Sequence, residues 1–146
     1  MRKLFISLLC AGLFFMFNIG VFSETGTGSL RISLIGFNNN NGKAMLSVYN
    51  TKETYNKSAG YVRGVMEDIK GNKAEVILKD LAFGTYAVKV FHDENGNGLL
   101  DTGAFGIPKE QYGFSNNARN TFGPAKWEDA QFKFNKAEMT IEITVK

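Results

Sequence analysis

Apolar and polar residues alternate one for one along this chain, and that period confines it to half-buried β-strands. The cleanest case is the last: Met139, Ile141, Ile143 and Val145 alternate with Thr140, Glu142 and Thr144. Leu30, Ile32 and Leu34 alternate with Arg31 and Ser33, and Ala44, Leu46 and Val48 with Met45 and Ser47. Ala74, Val76 and Leu78 form a further run, as do Tyr86, Val88 and Val90, and Ala130, Phe132 and Phe134. Turn-forming residues punctuate these runs at Asn38–Gly42, Lys70-Gly71-Asn72, Gly84 and Asn135-Lys136. About seven short strands joined this way predict an all-β fold, an antiparallel β-sandwich of transthyretin-like or immunoglobulin-like kind. The Asn-Gly turn predicts that the first two strands pair as an opening hairpin. Asn50 to Gly60 reads as a polar connection. Tyr61 to Ile69 fits either period, since Val62, Val65, Met66 and Ile69 also recur at helical spacing. Gly64 weakens that helix, so a hairpin across Lys70-Gly71-Asn72 is the expectation.

The chain begins with Arg2 and Lys3, then an apolar stretch from Leu4 to Val21, then Val21-Phe22-Ser23 before Glu24. Residues 1–23 therefore read as a cleaved signal peptide, and the polar segment after them supplies no positive stop. The expected organisation is a signal peptide over 1–23, a flexible segment over 24–29 and a sandwich domain over 30–146. Cys10, the one cysteine, leaves with the leader, which removes disulfides and thiolate chemistry from the mature chain. Of 17 basic residues two are Arg2 and Lys3, so against 14 acidic residues the mature charge is only about +1. With no basic block, nucleic acid is not expected as a partner. The mature chain is expected to be exported, periplasmic or extracellular, without a membrane span.

One segment breaks the alternation with chemistry. In His92-Asp93-Glu94-Asn95-Gly96-Asn97-Gly98-Leu99-Leu100-Asp101, oxygen-bearing side chains stand at loop positions one, three, five and nine. Asp93 and Asp101 bring charge, Asn95 and Asn97 neutral oxygens, and the Leu99 carbonyl falls at position seven. Gly98 at position six permits the bend that such loops make around Ca²⁺. Position twelve, a bidentate glutamate in an EF-hand, is Ala104 here, and the preceding flank is a strand rather than a helix. Glu110 is the nearest additional acid, and Asp80 is a second candidate from a neighbouring turn. Two carboxylates predict weak binding, with Kd about 10⁻⁴–10⁻³ M. The alternative is a plain Asn/Gly-rich turn without metal.

From Asp93 to Glu128 neither period is sustained, so 93–128 reads as a long insertion after the fifth strand. Gly84-Thr85-Tyr86-Ala87-Val88 followed by Phe91 to Gly98 resembles the secreted bacterial domain of unknown function 2141. Phe105-Gly106-Ile107-Pro108-Lys109-Glu110-Gln111-Tyr112-Gly113-Phe114-Ser115-Asn116-Asn117, Phe122-Gly123-Pro124 and Trp127-Glu128-Asp129-Ala130 extend the likeness, from about Leu30 to Val145. That resemblance implies an exported β-domain and no known activity. A looser likeness joins the chain to the calcium-binding B-repeats of Gram-positive surface adhesins, which Asp93, Asn95, Asn97 and Asp101 match position by position and Ala104 does not.

His92 is the only histidine, which argues against zinc. A triad of His92 with an acid and Ser58 or Ser115 lacks a nucleophile-elbow pattern, so no catalytic residue and no enzyme are expected. Glu67-Asp68 and Glu128-Asp129 are adjacent pairs that would point to opposite faces of a strand. Asn56-Lys57-Ser58 matches a glycosylation sequon, a common chance pattern. Tyr112, Phe114 and Trp127 would either offer an aromatic platform to a glycan or an envelope partner, or pack the insertion down; burial is the expectation. The sequence thus points to an exported, Ca²⁺-stabilised structural or binding module of the cell envelope, with a carbohydrate-binding module as the alternative.

Overall fold

The alternating runs become eight strands in two sheets. The structure, a computed structural model, describes residues 26–146; the leader and its cut before Glu24 lie outside them. The order is β1 (Thr27–Ile35), β2 (Lys43–Tyr49), α1 (Lys52–Lys57), β3 (Arg63–Asp68), β4 (Lys73–Ala82), β5 (Gly84–Asp93), β6 (Tyr112–Phe114), α2 (Trp127–Ala130), β7 (Phe132–Phe134) and β8 (Glu138–Thr144). One sheet has the order β4-β1-β8; the other has β3-β2-β5-β6, with β7 pairing the start of β5. Pairing is antiparallel except between β1 and β8, which run parallel. The all-β sandwich expected from the period is the fold observed. Thr27, Gly28 and Ser29, expected to be flexible, are the first residues of β1.

The pairing differs from expectation in two places. β1 and β2 form no hairpin: β1 joins one sheet and β2 the other. β3 and β4 likewise separate after a tight turn closed by a Lys70–Lys73 bridge. In both cases the chain arches across the sandwich. Alternation fixes which face of a strand is apolar, and an arch satisfies that requirement as well as a hairpin does. Gly36, at φ 90, turns the first arch out of β1.

Between the sheets, Leu30, Ile32 and Leu34 of β1 pack with Leu46 and Val48 of β2, Val76 and Leu78 of β4, Val88 and Val90 of β5, and Ile143 of β8, all buried. β4 carries a bulge where its register with β1 shifts, and Asp80 adopts φ 54 there; a short acidic side chain tolerates that backbone.

The residues of opposite parity build a second, smaller core on the outer face of the five-stranded sheet. Tyr49 of β2 and Ala87 of β5 lie beneath Tyr55, Phe114, Ala118, Ala125, Trp127 and Ala130. The expected polar connection thus contains a helix, α1, which buries Tyr55 and seals the Tyr55 hydroxyl on the Ala125 carbonyl at 2.8 Å. Thr51 caps it, its Oγ1 accepting from the Thr54 amide at 3.2 Å. No helix of the described residues is long and apolar enough to cross a membrane.

Candidate functional site

β5 delivers its last two residues, His92 and Asp93, buried, into the start of the Asn/Gly loop. Its neighbour β2 pairs Lys43 with Asp93 and Ala44 with His92. Gly42, at φ 63, sits so close to the Asp93 backbone that a Cβ would lie 1.8 Å from its carbonyl oxygen. Only glycine allows this approach, so the end of the first arch is pinned against the loop.

Asp93 organises the bend. Its Oδ1 accepts from the Asn97 amide at 3.1 Å and its Oδ2 from the Gly98 amide at 2.9 Å. Gly98 takes left-handed backbone, φ 76, as its place in the loop predicts, and Gly96 does so too, at φ 73. Asn95 Oδ1 accepts from the Asn97 amide at 3.0 Å, and Asn97 Oδ1 from the Leu99 amide at 2.8 Å. Across the loop, the side-chain amides of Asn95 and Asn97 donate to the two oxygens of Asp101, at 2.6 and 3.0 Å. The four oxygen-bearing side chains singled out by spacing are therefore joined in one hydrogen-bonded cluster. Leu99 contributes its backbone to the same bend while its side chain is exposed.

Glu110 arrives from the return arm. Asp101 to Lys109 form a short finger held by the Lys109 amide on the Asp101 carbonyl at 2.8 Å and by a Thr102–Pro108 bridge. This places Glu110 Oε1 on the amide of Glu94 at 3.1 Å and Oε2 on the amide of Asp101 at 2.9 Å. Its carboxylate clamps both ends of the loop. Asp80 is not part of the site. It lies near the end of β4, before the ten-residue run of β5 from Gly84 toward the loop, about 30 Å of extended chain. Ala104 is at the exposed tip of the finger. Among the described residues no three His, Cys, Asp or Glu side chains gather as a metal cluster, so any ion here would depend on the asparagine and backbone oxygens beside the acids.

His92 packs edge-on against Phe37, with ring centroids 5.2 Å apart. Its Nε2 is 2.7 Å from the Asn41 carbonyl. A carbonyl only accepts, so Nε2 is the donor in this contact. Nδ1 is buried without a hydrogen bond, with Glu94 Oε1 at 3.6 Å. Ser115, the other serine weighed for a triad, is buried and fully engaged: its hydroxyl donates to the Ala130 carbonyl at 2.5 Å and accepts from the Val88 amide at 2.9 Å.

The aromatic platform is not formed. Phe114 and Trp127 are buried, and Tyr112 is half-buried against Phe114 and beneath Arg119. They pack the insertion down, as expected, onto the outer face of the five-stranded sheet. The expected irregular insertion holds β6, which pairs with Lys89–Phe91 of β5. Sequence reasoning missed Gln111, which ties this segment to the rest. Its Oε1 accepts from the Asn38 amide at 2.7 Å and its Nε2 donates to the Gly36 carbonyl at 3.0 Å. No periodic signal marks a glutamine bonded 73 positions away.

No curated protein and no solved structure matches the chain. One family model does match, over residues 32–142, and it takes in the sheet pairs, the loop and the insertion just described. The chain belongs to the DUF2141 family, described as uncharacterized proteins conserved in bacteria.

Proposed function

We propose that this protein is an exported structural or binding module of the bacterial cell envelope, whose Asp93–Asp101 loop is braced by Ca²⁺. The observation that carries the ion reading is the convergence of Asp93, Asn95, Asn97 and Asp101 in one cluster around two left-handed glycines. The leader-like N-terminus supports export. A carboxylate oxygen that accepts one N–H keeps a second lone pair, so Asp93 can hold the bend and still ligate. The Asn95 and Asn97 side-chain oxygens each accept one backbone N–H and likewise keep a second lone pair for an ion. The ion would supply positive charge between Asp93 and Asp101 and so tie the loop to its finger. Glu110 holds the loop ends together from outside the cluster. No catalytic step belongs to this reading, and its partner would be an envelope protein or glycan.

Isothermal calorimetry with Ca²⁺ on the purified protein tests it. Saturable binding with Kd about 10⁻⁴–10⁻³ M, abolished in Asp101→Ala, is the expected result. The absence of heat up to 10 mM Ca²⁺, on the order of ten times the weaker limit, would favour the second reading. That reading is a self-sufficient turn, and it too has an observation behind it: both Asp93 oxygens already accept backbone N–H groups.

A further inference from the structure

Lys89 lies on the outer face of the five-stranded sheet among aromatic rings. It alternates away from the core residues Val88 and Val90 and meets α1. Its Nζ lies 4.2 Å from the ring centre of Tyr55 and 5.4 Å from that of Tyr49. It donates to the Tyr55 carbonyl at 2.7 Å, and it is 2.8 Å from Ser58 Oγ. No carboxylate among the described residues pairs with it, and burial alone lowers its pKa to about 8. A neutral amine has two N–H donors and one lone pair. The Tyr55 carbonyl takes one donor, and Ser58 O–H can supply a proton to the lone pair.

Ser58 ends α1 in left-handed backbone, φ 50, and its side chain faces solvent. Gly60 follows at φ 70. The amides of Gly60 and Tyr61 bond to no other backbone carbonyl among the described residues. Two donors thus remain on the turn that carries the hydroxyl. A lysine serving only to cap a helix needs the Tyr55 carbonyl and nothing else. Here the same ammonium reaches an exposed hydroxyl with no acid to hold its charge.

We propose that Ser58 and Lys89 form a serine–lysine nucleophile pair that accepts acyl groups from small esters. Ser58 Oγ attacks the ester carbonyl while its proton passes to the neutral Lys89 Nζ. The C–O bond to the leaving alcohol breaks, and Lys89 returns the proton to that alkoxide. Water then attacks acyl-Ser58 by the same route, releasing the carboxylic acid and restoring the hydroxyl. Lys89 acts as general base, and Ser58 as nucleophile.

p-Nitrophenyl acetate on the purified protein is the test, read by nitrophenolate release between pH 6 and 9 and by peptide mapping of the acetyl group. The expected results are acetyl on Ser58 and a release rate rising with pH to a plateau, with its midpoint near 8. Ser58→Gly, which suits the left-handed position and preserves the fold, abolishes both. Lys89→Met lowers acylation roughly 100-fold or more while circular dichroism shows the same strands. Acetyl found only on other residues, or Ser58→Gly reacting at the wild-type rate, would overturn the proposal. So would a Lys89→Met protein that melts earlier yet acylates Ser58 normally, the signature of a purely structural lysine.

Discussion

Asp93 is buried and Lys89 half-buried, and each makes its own prediction. The two Asp93 oxygens accept the amides of Asn97 and Gly98 at the buried strand end. Asp93→Ala should cost about 2–3 kcal/mol in chelator, the order expected for hydrogen bonds to a charged group. It should cost more in Ca²⁺, because the ion's contribution is lost as well. Urea melts in EDTA and in Ca²⁺ measure both values, and equal losses would remove Asp93 from the ion site. Lys89 is different in sign. Its folded pKa, about 8, is below its ordinary 10.5, so between these values the unfolded chain binds a proton that the folded one does not. Stability therefore rises with pH from about 8 to about 10. Above that, Tyr49, Tyr55 and Tyr86, whose pKa values burial raises, hold protons that the unfolded chain releases, and stability falls. Denaturant melts at pH 7.5, 9 and 10 should show the rise in wild type and a flatter profile in Lys89→Met. The side chains of the acidic loop were legible in the sequence because ligand spacing is local. Gln111, Gly42 and the Ser58–Lys89 contact were not, because each depends on a partner brought close only by folding.

The strands were legible for the same local reason, and their partners were not. Leu30, Ile32 and Leu34 declare an apolar face whether β1 pairs with β2 or faces it across the core. What decides is the link between them, where Gly36 leaves at φ 90 and Gly42 enters against Asp93. β6 was hidden in the insertion because three residues are too short a run to show a period. α1 was hidden because its single buried residue, Tyr55, leaves no stripe. Together with α2 these pieces cover the second face of the β2–β5 pair, and Trp127 is their largest anchor. Tyr55 and Trp127 meet edge to face, ring centres 5.6 Å apart. Trp127→Ala should therefore destabilise the fold by about 3–5 kcal/mol, measured by chemical denaturation. A stable Trp127→Ala protein would mean the insertion does not anchor there.

The domain is a two-sheet sandwich with a second layer on one sheet, and the acidic loop lies where β5, the first arch and the insertion finger meet. An ion in that loop would act on the whole fold through β5, the strand that pairs with β2, β6 and β7. A ligand that binds only the native state stabilises it by an amount set by its concentration over Kd, about 2.7 kcal/mol at 100 Kd. The direct measurement is the melting temperature of the purified protein in 10 mM Ca²⁺ and in EDTA, at one ionic strength. The account expects Tm to be higher in Ca²⁺ by several degrees, on the order of those few kcal/mol, and the gap to vanish in Asp101→Ala. Identical melting in the two buffers would contradict it.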